Sequence, residues 1–256
     1  MALLSDRELD SIAALSDTTT LAGSVLQRLE TGVERHRRIA EILVAHRDRL
    51  GLFSVGLDVV QQLAVMPMQR DPDVFADPDY ASGISLDLLR RFMDNLHAEF
   101  TGGAVESHWA RYFHLARRDD ISPARVAMAG YNAHMTVDLA YSVAAVSSTE
   151  SNADDFHRIV IAAAITGPAI LSRTEEVYGT DLNPLWLFYF LGVGLDLVAG
   201  HGISTAPMLR AADLGYGVAI FANGCALRSE RTRATAEIQA MFDTADAGFE
   251  VLTRSL

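Results

Sequence analysis

From Pro123 to Val146 only two residues carry a full charge, Arg125 and Asp138. Ser122 followed by Pro123 is an N-cap with proline at the first helical position, so the spacing predicts one long helix over this stretch. A helix with so little charge must be surrounded by protein on most sides. The rest of the chain has to supply that surround, and the expected fold is all-α: a multi-helix bundle with a buried central helix and an apolar cavity.

The flanking sequence agrees. Ser5 with Glu8 is a capping-box pattern that opens a short N-terminal helix. Leu21 to Arg49 follows with Leu21, Val25, Leu29, Val33, Ile39, Ile42 and Leu43 at helical spacing, then Leu52 to Met66. Pro67, Pro72 and Pro78 mark an acidic loop from Arg70 to Gly83. Leu86 to Phe100 and Glu106 to Arg118 read as amphipathic helices separated by Gly102-Gly103. Ser151 or Asn152 caps the next, with a kink expected at Gly167-Pro168. Asn183-Pro184 opens another, and helices from about Thr205 and Glu230 close the chain. Period-two alternation, repeats and dividing linkers are not seen, so residues 1–256 are read as a single domain.

Composition removes several function classes. The net charge is −12, and all 21 basic residues are arginine. So acidic a chain has no electrostatic footprint for nucleic acid or an anionic membrane. Without lysine there is neither Schiff-base chemistry nor a P-loop. The single cysteine, Cys225, excludes an intrachain disulfide and a Cys-based zinc cluster, and its apolar neighbours suggest a buried structural thiol. Mean hydropathy is +0.15, an apolar excess that needs a large core, a ligand cavity, or a subunit interface and hence a homo-oligomer. The most apolar runs, Ile159 to Ser172, Asn183 to Leu195 and Leu214 to Leu227, are too short and too interrupted for membrane spans. With Ser5, Asp6, Arg7 and Glu8 directly after the first four residues, a signal peptide is not expected and a cytoplasmic location is.

The candidate site lies on the long helix. At about 100° per residue Tyr131, His134, Asp138 and Tyr141 share one face, and Arg125, Asn132 and Thr136 another. A carboxylate four residues from an imidazole can fix its tautomer and raise its basicity, which suits general acid–base work. The bland alternative is a buried pair that satisfies only itself. His108 and Tyr112, four apart and near Glu106, could line the same cavity, as could Asp196, while Trp109 and Phe113 read as core. Asp196 and Asp58 are equally read as places where a helix surfaces. His36 and His46 lie among Arg35, Arg37, Arg38, Arg47 and Asp48 and read as a solvated face, as does His114 beside Arg111 and Arg118.

The segment Gly130-Tyr131-Asn132-Ala133-His134-Met135-Thr136-Val137-Asp138-Leu139 resembles the Gly-Met-Asn-Ala-His-Ile-x-x-Asp-Leu signature of a bacterial family catalogued as domain of unknown function 5995. Trp109 to Phe113 is similar to its Trp-x-x-x-Phe helix. Phe75-Ala76-Asp77, Leu86-Asp87 and Phe92 are similar to its Phe-x-Asp loop and the helix start after it. The likeness covers roughly residues 48–160, and Tyr131 and Met135 depart from its Met and Ile. The resemblance implies that Asn132, His134 and Asp138 are hallmark residues, and it implies no reaction.

Metalloprotease, terpene-cyclase, nucleophile-elbow and dinucleotide motifs are all missing. Asp119-Asp120 and Asp154-Asp155 lack the third acid of a magnesium motif. The leading expectation is a cofactor-independent acid–base enzyme on an apolar small molecule, such as a cyclase, dehydratase or isomerase of polyketide-like natural products. The arginine-only, alanine-rich composition agrees with a high-GC actinobacterial genome, where such pathways are common. His134 and Asp138 are its expected catalytic pair, with Tyr131, Asn132, Tyr112, His108 and Asp196 around the substrate and no metal or cofactor. A metal-dependent hydrolase using His134, Asp138 and a third ligand such as His108 is the second expectation. A non-catalytic binding or oligomerisation module is the third.

Overall fold

The computed structural model describes residues 4–190 and 206–254, with side chains other than those of 190 and 206–214. Helices make up 81% of it, with no strand among the described residues. The helices are α1 (Asp6–Ser16), α2 (Val25–Ala45), α3 (Gly51–Val60), α4 (Met66–Arg70), α5 (Pro78–Thr101), α6 (Ser107–Ala116) and α7 (Pro123–Asn132). They continue with α8 (Leu139–Ala145), α9 (Ala153–Ile165), α10 (Gly167–Tyr178), α11 (Asn183–Phe190), α12 (Ala206–Ala226) and α13 (Arg231–Thr253).

Local chemistry sets most boundaries. Glu8 accepts from the Ser5 N–H at 2.8 Å, closing the first capping box. Helix α2 starts at Val25 rather than Leu21 because Ser24 and Gln27 form a second box, entered through Gly23 at φ +101°. Helix α5 starts at Pro78, well before Leu86, because Asp77 caps the Tyr80 N–H at 3.0 Å and the proline fits the first turn. The loop before it is pinned to α9: the N–H groups of Ala76 and Asp77 donate to the two oxygens of Asp155 at 3.0 and 2.8 Å.

Two helices depart from the expected regular form. A π-turn, Gln61–Val65, joins α3 to α4, and a second, Ala133–Asp138, joins α7 to α8. The first carries the helix past Pro67, which occupies the first turn of α4, where its missing N–H is tolerated. The second interrupts the long central helix in its most buried part. Helices α9 and α10 meet at Thr166, next to the predicted kink.

The central helix is enclosed as its composition requires. Every residue from Arg125 to Ala140 except Met135 is buried. Its three segments pack against α3, α5, α6, α12 and α13. Gly51–Arg70 is long and apolar enough to cross a membrane, a stretch the sequence reading did not single out, and 56% of its most apolar window is buried within the protein.

Candidate active site

Asp138 ends the second π-turn and is 1% exposed. A carboxylate so deep must be paired or neutral. It is paired by α6: one oxygen accepts from His108 Nε2 at 2.9 Å, the other from Trp109 Nε1 at 2.9 Å. Burial alone would push this carboxyl up. The His108 hydrogen bond and the neighbouring His134 outweigh it and hold Asp138 below the usual carboxylate range. With the acid ionised, the proton of the His108 contact sits on Nε2. Glu106, at the N-cap of α6, brings a second carboxylate oxygen to 3.6 Å from the same nitrogen.

His134 is arranged differently from expectation. Its Nδ1 stands 3.7 Å from the Trp109-bound oxygen of Asp138, too far for a hydrogen bond, and is buried without one. The ring is held between Phe53, 5.1 Å away, and Trp109, 6.4 Å away. It also lines a cavity of about 100 Å³ with an almost wholly apolar wall, including Leu57, Ile170 and Trp186. Both π-turns reach this cavity, one through Gln61 and Val65 and the other through His134 and Met135.

Of the other expected site residues, Tyr131 lines the cavity, its ring edge-on to Trp186 at 5.2 Å and its hydroxyl over Gly56, where a Cβ would lie 1.7 Å away. Burial drives its phenol far above the ordinary value, so it stays protonated. Asn132 is used to clasp α13: its amide donates to the Phe242 carbonyl at 2.9 Å and its oxygen accepts from Thr136 at 2.7 Å. Thr136 in turn meets the hydroxyls of Tyr189 and Tyr216, two cavity-lining rings. Tyr112 lies outside the lining. Its hydroxyl donates to the Leu50 carbonyl at 2.8 Å and accepts from the Phe53 N–H at 3.2 Å. Asp196 lies outside the described residues.

The four-residue face of the long helix is not preserved. Tyr131 and His134 turn to the cavity, Asp138 to α6, and half-buried Tyr141 to Arg91, whose guanidinium lies 5.7 Å from the ring centre. The wider π-turn redistributes positions that a regular helix would align.

His36 is a further correction. It is 0% exposed, with Nδ1 2.8 Å from Gln61 Oε1. The arginines around it suggested solvent, but Leu29, Val33, His36, Ala40 and Leu43 follow the i, i+4, i+7 rhythm of one buried face. Trp109 and Gln61 are the site residues that sequence reasoning missed. The indole reads as core by bulk, and its bond to Asp138 spans 29 positions. Half-buried Cys225, its thiol pushed up by burial, is poorly suited to act as a nucleophile.

Over residues 29–193, more than half of the chain, the sequence matches a Family of unknown function (DUF5995). The chain belongs to that family. The matched DUF5995 segment contains both π-turns, Glu106, His108 and Trp109, and leaves out α12 and α13. No curated protein and no solved structure matches the chain.

Proposed function

We propose that this DUF5995 protein is an enzyme that performs acid–base chemistry on an apolar small molecule held in the cavity, with His134 as the proton-exchanging group. The observation that carries this reading is the position of His134. Its ring lines an apolar cavity and its Nδ1 stands beside an ionised, wholly buried carboxylate. A concave apolar wall with a few convergent polar groups is the usual make-up of a small-molecule site. The 3.7 Å between Nδ1 and Asp138 is a small ring movement from a hydrogen bond, which a ligand pressing on the imidazole would complete. Asp138 then orients the imidazole and stabilises its protonated form.

Cyclisation, dehydration and isomerisation all need this combination, a dry pocket and one well-placed acid–base group. A cyclase, dehydratase or isomerase of polyketide-like compounds, working in the cytoplasm, is the form of the proposal. It is tested on substrates drawn from the products of neighbouring genes. Trp186 lines the cavity and is one of only two tryptophans, so ligand entry is read by its fluorescence. His134→Ala is expected to stay helical, keep ligand quenching of Trp186, and lose about 10²- to 10⁴-fold in turnover. Normal turnover in the folded variant would remove His134 from the mechanism.

A further inference from the structure

We propose that Glu106, His108 and Asp138 form a binding site for one divalent transition-metal ion, on the far side of Asp138 from the cavity. The inference goes beyond the acid–base reading and needs none of the cavity's chemistry. It starts from convergence: one ligand atom from each residue lies within 4.8 Å of the other two. His108 Nε2 is 2.9 Å from Asp138 Oδ1 and 3.6 Å from Glu106 Oε2. Two ligands at about 2.0–2.2 Å from one ion are separated by such distances at angles between octahedral and tetrahedral. The widest separation allowed by that 4.8 Å limit would need Glu106 to move inward by roughly 1.2 Å or more to reach the same angles. Its side chain is 53% exposed and held by Asn95 alone among the described side-chain donors, a contact that can follow the movement.

A single imidazole nitrogen facing two carboxylate oxygens has one proton for two acceptors. An ion in that position serves all three. It replaces the Nε2 proton, which leaves to solvent, and ties α6 to the π-turn. Both carboxylates are also oriented by protein donors, Asp138 through its other oxygen and Glu106 through the oxygen that faces His108. Trp109 Nε1 donates to the second oxygen of Asp138 at 2.9 Å, and Asn95 Nδ2 donates to Glu106 Oε2 at 3.1 Å.

The site is also open to solvent on one side. Glu106 forms part of a polar surface cleft of about 310 Å³, lined by Asp87, Asp94 and Asn95 together with Arg90 and Arg91, and through it the carboxylate meets solvent. One nitrogen with two carboxylate oxygens suits Zn²⁺, Mn²⁺, Fe²⁺ or Co²⁺, while Mg²⁺ and Ca²⁺ favour all-oxygen sets.

The test uses the full chain, free of any tag and stripped with chelator, titrated separately with Zn²⁺, Mn²⁺, Co²⁺ and Mg²⁺. The expected result is one Zn²⁺ bound per chain, a Tm that rises with metal concentration, and a visible Co²⁺ absorption band, with no effect of Mg²⁺. Glu106→Gln and His108→Gln are each expected to weaken binding by about tenfold or more, and Glu176→Gln, an exposed carboxylate on α10, to leave it unchanged. Absence of stoichiometric binding by the wild-type chain overturns the proposal. So does equal affinity in the Glu106 and His108 variants. Should His108→Gln fail to fold, Glu106→Gln decides alone, because that exposed side chain is not needed for the core.

Discussion

Asp138 keeps a negative charge where 1% of its surface meets water. It can do so because each oxygen receives an N–H from α6. His36 solves the opposite problem by staying neutral. Burial, far outweighing the Gln61 hydrogen bond and joined by the nearby His134, pushes its ring down to about 4 from an ordinary 6.5. The unfolded chain therefore takes up a proton near pH 6.5 that the native protein refuses until about pH 4. Stability supplied by this residue is complete above pH 6.5 and falls as pH drops through that window. A shift of this size corresponds to roughly 3 kcal/mol. Urea unfolding at pH 7 and at pH 4.5 is expected to show a smaller acid-induced loss in His36→Leu than in the wild type. Equal losses would mean that His36 already titrates normally in the native state.

Among the elements, the crossing of α3 and α7 sets how closely the cavity walls approach. Gly130 permits it: a Cβ there would lie 2.6 Å from Phe53 Cβ, a contact that a rotamer change cannot relieve. Gly130→Ala is expected to cost about 1–3 kcal/mol by forcing the helices apart. Thermal unfolding beside ligand quenching of Trp186 checks it, and a variant as stable as wild type would show that the crossing is slack. The caps of α1 and α7 were legible because Ser5–Glu8 and Ser122–Pro123 act within one turn. The buried central helix was legible because charge is missing from it over many turns. The π-turns were not, since neither Gln61–Val65 nor Ala133–Asp138 contains a residue type that favours the wider turn, and packing across helices selects it. That is why the burial of His134 and Asp138 is legible in the sequence while the α6 hydrogen bonds that hold Asp138 are not. The closest imidazole to Asp138 comes from 30 positions away.

At the scale of the whole molecule, α13 holds the site helix from outside. Arg125, 1% exposed, forms an ion pair with Asp246 and stacks over Phe249, 5.6 Å from the ring centre. Asp246 also pairs with Arg111 at 3.1 Å, so Arg125→Met leaves the carboxylate one partner and is expected to cost about 1–3 kcal/mol. Adding Asp246→Leu to that variant restores part of the loss, because the half-buried carboxylate is gone and Arg111, itself partly exposed, turns to solvent. Chemical denaturation of the two variants measures the difference, and a double variant no more stable than the single one would assign the loss to packing.

The same clasp separates two lengths of chain that are easily taken for one. The family match ends at residue 193, and the groups that Arg125 and Asn132 hold, the Asp246 carboxylate and the Phe242 carbonyl, lie beyond it. A fragment excised at residues 29 and 193 would keep His108, Trp109 and His134 around Asp138 while stranding a guanidinium and an amide on the same helix. What is inherited as a block here is shorter than what must fold as a block.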